Sequence, residues 1–182
     1  MTVTPTLIDG LFVIDLDRFD DTRGSFREAF QQEKLAALGL PALNPVQWNI
    51  AENSRRGIVR GIHAEPWDKY IHVLAGEIFA AIVDLRRDSP TFAAVETFTL
   101  DRSRALYVAQ GLGNAYQVLS DGAFYGYLVN AHWRASEPYL AIAWNDPHLA
   151  IRWPLPVSHA DLSAKDRALP TLRDVFGDFP KQ

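Results

Sequence analysis

The stretch RGIHAEPWDKYIHVLAGEIFAAIVDLRRDSPT, residues 60–91, decides the fold. Read with its two preceding residues it divides into three short segments, IVRGIHAE (58–65), KYIHVLAG (69–76) and EIFAAIVDLR (77–86). Val, Ile, Tyr and Phe dominate them, and breaks such as GE and RRDSPT separate or follow them, the pattern of strands joined by turns. The rhythm continues outward. LFVIDL (11–16) and VQWNIAE (46–52) lie before the stretch, and AAVETFTL (93–100), ALYVAQG (105–111), AYQVLS (115–120), AFYGYLVN (123–130) and LAIAWN (140–145) follow it. Only two segments read as helical. QQEKLAALGL (31–40) spaces its leucines and alanines near a helical period, and LSAKDRALPTLRDVF (162–176) opens on a Ser able to cap but contains a helix-interrupting Pro. The expectation is an all-β sandwich or barrel with a short helix near each end. Without an internal repeat or linker, residues 1–182 read as one domain.

Composition narrows the function. Of 182 residues, 48% are hydrophobic and 22% charged, ordinary for a chain that buries a core. Cysteine is absent, which excludes disulfides and thiolate chemistry. The net charge of −4 argues against a general nucleic-acid or membrane-surface binder. No apolar run is long enough to span a bilayer, and MTVTPTLIDG lacks the features of a signal peptide, so a cytoplasmic location is expected. Arg55, Arg56 and Arg60 nevertheless cluster near Lys69, a basic spot suited to a small anion. Arg55 and Arg56 by themselves read as an exposed turn.

Two chemistries compete for residues 60–77. On a strand, His63 and Glu65 share a face, and His72 on the next strand offers a further metal donor. A metal-binding barrel generally takes another histidine from a later strand, and the matching segment GLGNAYQV offers Asn114 instead. The donor set falls short of three, so no metal is expected. Proton abstraction beside a ketone needs a base titrating near neutrality and a cation where enolate charge develops. Histidine suits the first role, since its ordinary pKa is about 6.5. Lys69, one strand away, suits the second. Taken alone, His63 reads more simply as a hydrogen-bonded strand histidine.

The segments DTRGSFREAF (21–30), QWNIAENSRRGIVRGIHAE (47–65), KYIHVLAGEIFAAIVDLRRDSPTF (69–92), LYVAQGLGNAYQVLS (106–120), AIAWNDPHLAIRWPL (141–155) and LSAKDRALP (162–170) together resemble the dTDP-4-dehydrorhamnose 3,5-epimerase family, over roughly residues 8 to 175. The VDLR–DSPTF and WNDP–L–I–WP blocks are the most specific parts. The resemblance implies a metal-free, cofactor-free cupin-type jelly roll that forms a homodimer through shared N-terminal strands and acts on a dTDP-linked keto-sugar. It implies that His63 is the base, Asp166 its carboxylate partner and Lys69 the group at the C4 carbonyl oxygen. It assigns Arg60 and Lys165 to phosphate, Arg23, Phe26 and Glu28 to the nucleotide, and Gln47 and Asn49 to the polar pair on the neighbouring strand. Without the family, Asp166 reads as support for a helix start, Phe26 as core and Glu28 as a solvated charge.

Strand parity adds a condition. Arg60 and His63 fall on opposite faces of a regular strand, so both serve one pocket only if the backbone bulges near Gly61. The chain also departs from the family twice. Gly113-Asn114-Ala115-Tyr116 stands where A-H-G-F is usual, and an asparagine carries no mobile proton. In YLVNAHWRASEP, Trp133 stands at or beside the tyrosine that serves as the family's acid, with one extra residue before Trp144. His132 is its neighbour and a candidate replacement; Tyr116, Tyr125 and Tyr127 read as core phenols. The expected activity is therefore epimerisation of a 4-keto-6-deoxyhexose at C3, C5 or both, with altered scope. The alternatives are a catalytically silent nucleotide-sugar binder and an isomerase or eliminating enzyme on the same scaffold.

Overall fold

An apolar run without alternation belongs to a strand covered on both sides, and residues 78–84 are buried throughout. The computed structural model describes residues 1–134 and 139–178. Its strands are β1 (Thr2–Pro5), β2 (Leu11–Asp15), β3 (Phe19–Asp21), β4 (Gly24–Phe26), β5 (Gln47–Asn53), β6 (Val59–Ala64), β7 (Lys69–Ala75), β8 (Ile78–Asp84), β9 (Val95–Leu100), β10 (Arg104–Val108), β11 (Leu112–Val118), β12 (Ala123–Val129) and β13 (Leu140–Ala141). The helices are α1 (Gln32–Ala37), α2 (Ala164–Arg167) and α3 (Leu172–Phe176). A six-stranded sheet runs β1-β2-β10-β7-β12-β5, a five-stranded sheet runs β13-β6-β11-β8-β9, and β3 and β4 form a separate hairpin. Every pairing is antiparallel. The expected cupin-type jelly roll is the fold observed.

Three apolar layers hold it. Ile71, Val73, Ile82, Leu106 and Val118 pack in the largest cluster. Leu35 of α1 with Leu40 and Leu43 packs against Tyr70 of the six-stranded sheet, and the Tyr70 hydroxyl donates to the Ala29 carbonyl at 2.8 Å. Ile142, Leu149 and Leu172 pack with Val83 and Ile62 of the five-stranded sheet. Burying each such side chain is worth about 1.5–3 kcal/mol.

The two most specific sequence blocks are braces. Asp84 closes the DLRRDSPT turn by accepting from Arg86 Nε at 2.8 Å, Ser89 Oγ at 2.6 Å and Thr91 Oγ1 at 2.7 Å. Asp146 of WNDP accepts from the amides of His148, Leu149 and Leu172, pinning the start of α3. That turn is why the strand expected over 140–145 ends early. The helical segments hold in part. Ser163 caps α2 by accepting from the Asp166 amide, and Pro170 separates α2 from α3. Sequence periodicity missed β1 and the β3–β4 hairpin, both mostly exposed and too short to show a pattern.

Candidate active site

Between the sheets lies a cavity of about 550 Å³. Inward side chains of both walls line it: Lys69, Tyr125 and Tyr127 from the six-stranded sheet, Arg60, His63, Asn114 and Tyr116 from the five-stranded one. Lys165 and Asp166 on α2 contribute from the C-terminal segment.

The bulge that parity required is present. On β11, Asn114 pairs with His63 and Tyr116 with Arg60, so β6 spends one more residue than its neighbour over the same span. Gly61 makes this possible. Its φ is +109°, and an added Cβ would lie 2.6 Å from the Asn114 carbonyl oxygen.

His63 Nε2 lies 3.0 Å from Asp166 Oδ1, the histidine side chain 28% exposed and the carboxylate 7%. With Nε2 committed to Asp166, Nδ1 is the nitrogen left to take a proton. Burial pushes the Asp166 carboxyl up, but the His63 hydrogen bond and charge, with the Ser163 hydroxyl and Gly61 amide, outweigh it and hold the group below its ordinary value. It is therefore ionised when His63 becomes an imidazolium.

Lys69 is buried in the cavity wall. Its Nζ contacts the Glu65 carboxylate and the Asn114 side-chain oxygen. Burial lowers the Lys69 pKa, and the Glu65 charge and hydrogen bond oppose the drop. Asn114 spends its other end donating from Nδ2 to the Tyr125 hydroxyl at 3.2 Å. Tyr125 stacks on Tyr116 with centroids 4.2 Å apart, and the Tyr116 hydroxyl donates to Asn53 Oδ1 at 3.3 Å. Arg60 Nε donates to the same oxygen at 3.2 Å. Among the described residues Arg60 and Lys165 have no carboxylate partner, so two uncompensated cations face the cavity.

The remaining expected residues divide. Gln47 and Asn49 alternate inward along β5, joined by a 2.7 Å hydrogen bond from Gln47 Nε2 to Asn49 Oδ1, on the face that carries cavity-lining Ala51. Arg23, Phe26 and Glu28 stand outside the cavity of their own chain. Arg23 is 88% exposed and paired with Asp21, Glu28 pairs with Lys34, and Phe26 is exposed on the hairpin and not in the core. His132 and Trp133 are exposed and do not line the cavity, although the Trp133 amide donates to Gln47 Oε1 at 3.0 Å. The Pro step at 135–138 lies outside the described residues.

Several cavity groups escaped sequence reasoning. Glu65 was weighed only as a metal donor, yet it is the counter-ion of Lys69, four residues on. His72 alternates away from Lys69 on β7 and does not line the cavity. Arg55 is no mere turn residue, since it lines the cavity and pairs with Asp161. Tyr125 and Tyr127 are two apart on one strand and so share a face, the signal that could have placed both inside.

The sequence profile of the dTDP-4-dehydrorhamnose 3,5-epimerases matches residues 5–174. The chain belongs to that family. A protein from Streptococcus pyogenes serotype M6 described as an RmlC homolog is 38% identical over 96% of this chain and 90% of its own length. A dTDP-4-dehydrorhamnose 3-epimerase from Streptomyces niveus is 35% identical over 85% of this chain and 76% of its own. The structure of RmlC from Streptococcus suis, described in complex with dTDP-D-xylose, superposes with a TM-score of 0.88 at 36% identity, covering 97% of this chain and 94% of that one. The chain is thus similar to proteins named for one inverted carbon as well as for two. No helix of the described residues is long and apolar enough to cross a membrane.

Proposed function

We propose that this protein is a carbohydrate epimerase that acts on a dTDP-linked 4-keto-6-deoxyhexose by abstracting the proton next to the C4 ketone. The observation that carries it is the His63–Asp166 contact at 3.0 Å, opening onto the cavity that also holds Lys69. His63 Nδ1 takes the proton, and Asp166 fixes the ring and stabilises the imidazolium. Lys69 lies where negative charge develops on the carbonyl oxygen, and Glu65 supports its charged form. Arg60 and Lys165, without acidic partners among the described residues, bind the pyrophosphate, and Gln47 and Asn49 extend that polar wall.

On this reading the protein works in the cytoplasm as a homodimer. Arg23, Phe26 and Glu28, exposed on or beside the β3–β4 hairpin, then reach the nucleotide in a second copy's cavity. Incubation with dTDP-4-keto-6-deoxyglucose in heavy water tests the chemistry. Deuterium at C3 or C5 with an inverted product is expected. Tight binding without exchange at either carbon would instead identify a silent binder.

A further inference from the structure

A cation grips an anion best when something holds it in place without cancelling its charge. Arg60 lines the cavity and is exposed there, a long side chain that loses freedom on binding unless it is already fixed. What fixes it is Asn53, the last residue of β5, which is 1% exposed and does not itself line the cavity. Asn53 uses its whole hydrogen-bonding capacity. Its Nδ2 donates to the carbonyls of Ala51 and Ala123, both at 3.1 Å. Its Oδ1 accepts from Arg60 Nε at 3.2 Å and from the Tyr116 hydroxyl at 3.3 Å. The two carbonyls require donors on one side, and the guanidinium, which can only donate, requires an acceptor on the other. A side-chain amide meets both demands. A carboxylate would face the carbonyls with no proton to give, and it would pair with Arg60 and cancel the charge.

We propose that Asn53 is a positioning residue for substrate: its neutral amide pins Arg60 at Nε and leaves both terminal nitrogens, with the full positive charge, to the diphosphate of a nucleotide sugar. The inference rests on the reading that Arg60 grips the pyrophosphate, and it deepens that reading with a residue that never touches substrate. Among the described residues Arg60 makes no other hydrogen bond or ion pair, so its terminal N–H groups remain available for phosphate oxygens. Asn53 does this from behind the cavity wall, where the Ala51 and Ala123 carbonyls hold its amide in one orientation.

Calorimetry with dTDP as the probe tests this on wild type, Asn53→Ala, Arg60→Gln and the double variant. N53A is expected to bind dTDP ~3- to 10-fold more weakly, because the guanidinium must then be ordered on binding. The KM for the keto-sugar should rise with it while kcat is retained. In the R60Q background N53A should change nothing, since Asn53 acts only through Arg60. A residue that merely braced β5 would cost the same factor in both backgrounds, and that result overturns the proposal. So does a folded N53A that binds dTDP like wild type. Asn53→Asp nearly keeps the side chain's shape but neutralises Arg60, so its affinity should fall by ~10-fold or more; undiminished affinity overturns the proposal. Because changes at buried Asn53 can impair folding, Arg60→Lys adds a test at an exposed position. Lysine keeps the charge but has one nitrogen, which cannot bond Asn53 and grip phosphate as a guanidinium does. R60K binding dTDP at wild-type strength therefore also overturns the proposal. A wild type that does not bind dTDP, or an R60Q that binds it as tightly as wild type, sinks the anion-grip reading itself and this inference with it.

Discussion

Gly61→Ala tests whether the bulge in β6 is what brings base and anion grip into one cavity. At φ +109° any residue with a β-carbon is strained, and the added atom would lie 2.6 Å from the Asn114 carbonyl oxygen and 2.8 Å from Ala115 Cα and Cβ. These atoms belong to β11, itself paired to β8, so they cannot turn aside as the tip of a long side chain would. The backbone strain costs about 1–3 kcal/mol and overpacking typically adds ~1–3 kcal/mol, or roughly 2–6 kcal/mol together. A domain of this size commonly has about 5–15 kcal/mol of stability, so the variant folds in most of that range. With a urea m-value of about 2 kcal/mol/M, within the usual span, the unfolding midpoint falls by ~1 M or more.

The chain's alternative is to give up the bulge. Regular pairing would turn residues 60 and 63 to opposite faces, expelling either Arg60 or His63 from the cavity. Stability and chemistry should therefore fall together, with deuterium exchange down by ~10²-fold or more if the base is displaced. Gly122→Ala is the control, because φ there is +67° but nothing lies within 4 Å of an added Cβ. It should show a smaller loss of stability and unchanged exchange. A G61A variant with a wild-type midpoint and wild-type exchange would refute the reasoning, since neither strain nor bulge would then matter.

Other outcomes follow from the same contacts. Asp166→Asn should lower the exchange rate by ~10²- to 10⁴-fold with little change in circular dichroism; an undiminished rate would remove Asp166 from the chemistry. Glu65→Gln takes the carboxylate from buried Lys69, whose pKa burial already lowers. Fewer lysines then stay charged at high pH, so the alkaline limb of the kcat profile should move to lower pH, and an unmoved limb would sever Glu65 from Lys69's function. Arg60→Gln or Lys165→Gln should weaken nucleotide-sugar binding by roughly 10- to 100-fold in calorimetry, the loss of a charged hydrogen bond, with kcat retained at saturation. Burial pushes the Asp84 carboxyl up, but Arg86, Ser89 and Thr91 overcome it and hold the pKa near about 2. A depressed folded-state pKa contributes stability above the unfolded value, and that contribution disappears as pH falls through the folded one. Acid titration of the unfolding midpoint should therefore show a loss between about pH 4 and pH 2, and D84N should lack it.

The fold was legible because most strands carry their burial in their composition. Residues 78–84 are apolar at every position because both faces are covered, and β12 shows its strand length between SDG and the exposed Asn130. What composition could not show was pairing between distant segments. The His63–Asp166 contact joins residues from β6 and α2, and only the family resemblance named it beforehand. Specificity of sequence is not the same as function. The VDLR–DSPTF and WNDP blocks carry most of the resemblance, yet Asp84 and Asp146 hold turns together and do not line the cavity. Parity did better. Given the pocket roles that the resemblance implies for Arg60 and His63, it required an irregularity near Gly61, and the register shift against β11 is there.

The replacement of a family histidine by Asn114 acquires a physical reading from this geometry. Asn114 accepts from an ammonium at one end and donates to a phenol at the other, and an amide performs both tasks without changing charge. An imidazole in its place would gain a proton as pH fell, next to the buried ammonium of Lys69, and like charges in a desolvated wall repel strongly. With Asn114 there, His63 is the sole histidine among the described residues that line the cavity. One imidazole is thus left to exchange a proton with substrate carbon, while Lys69 keeps its counter-ion Glu65 whichever way the proton moves.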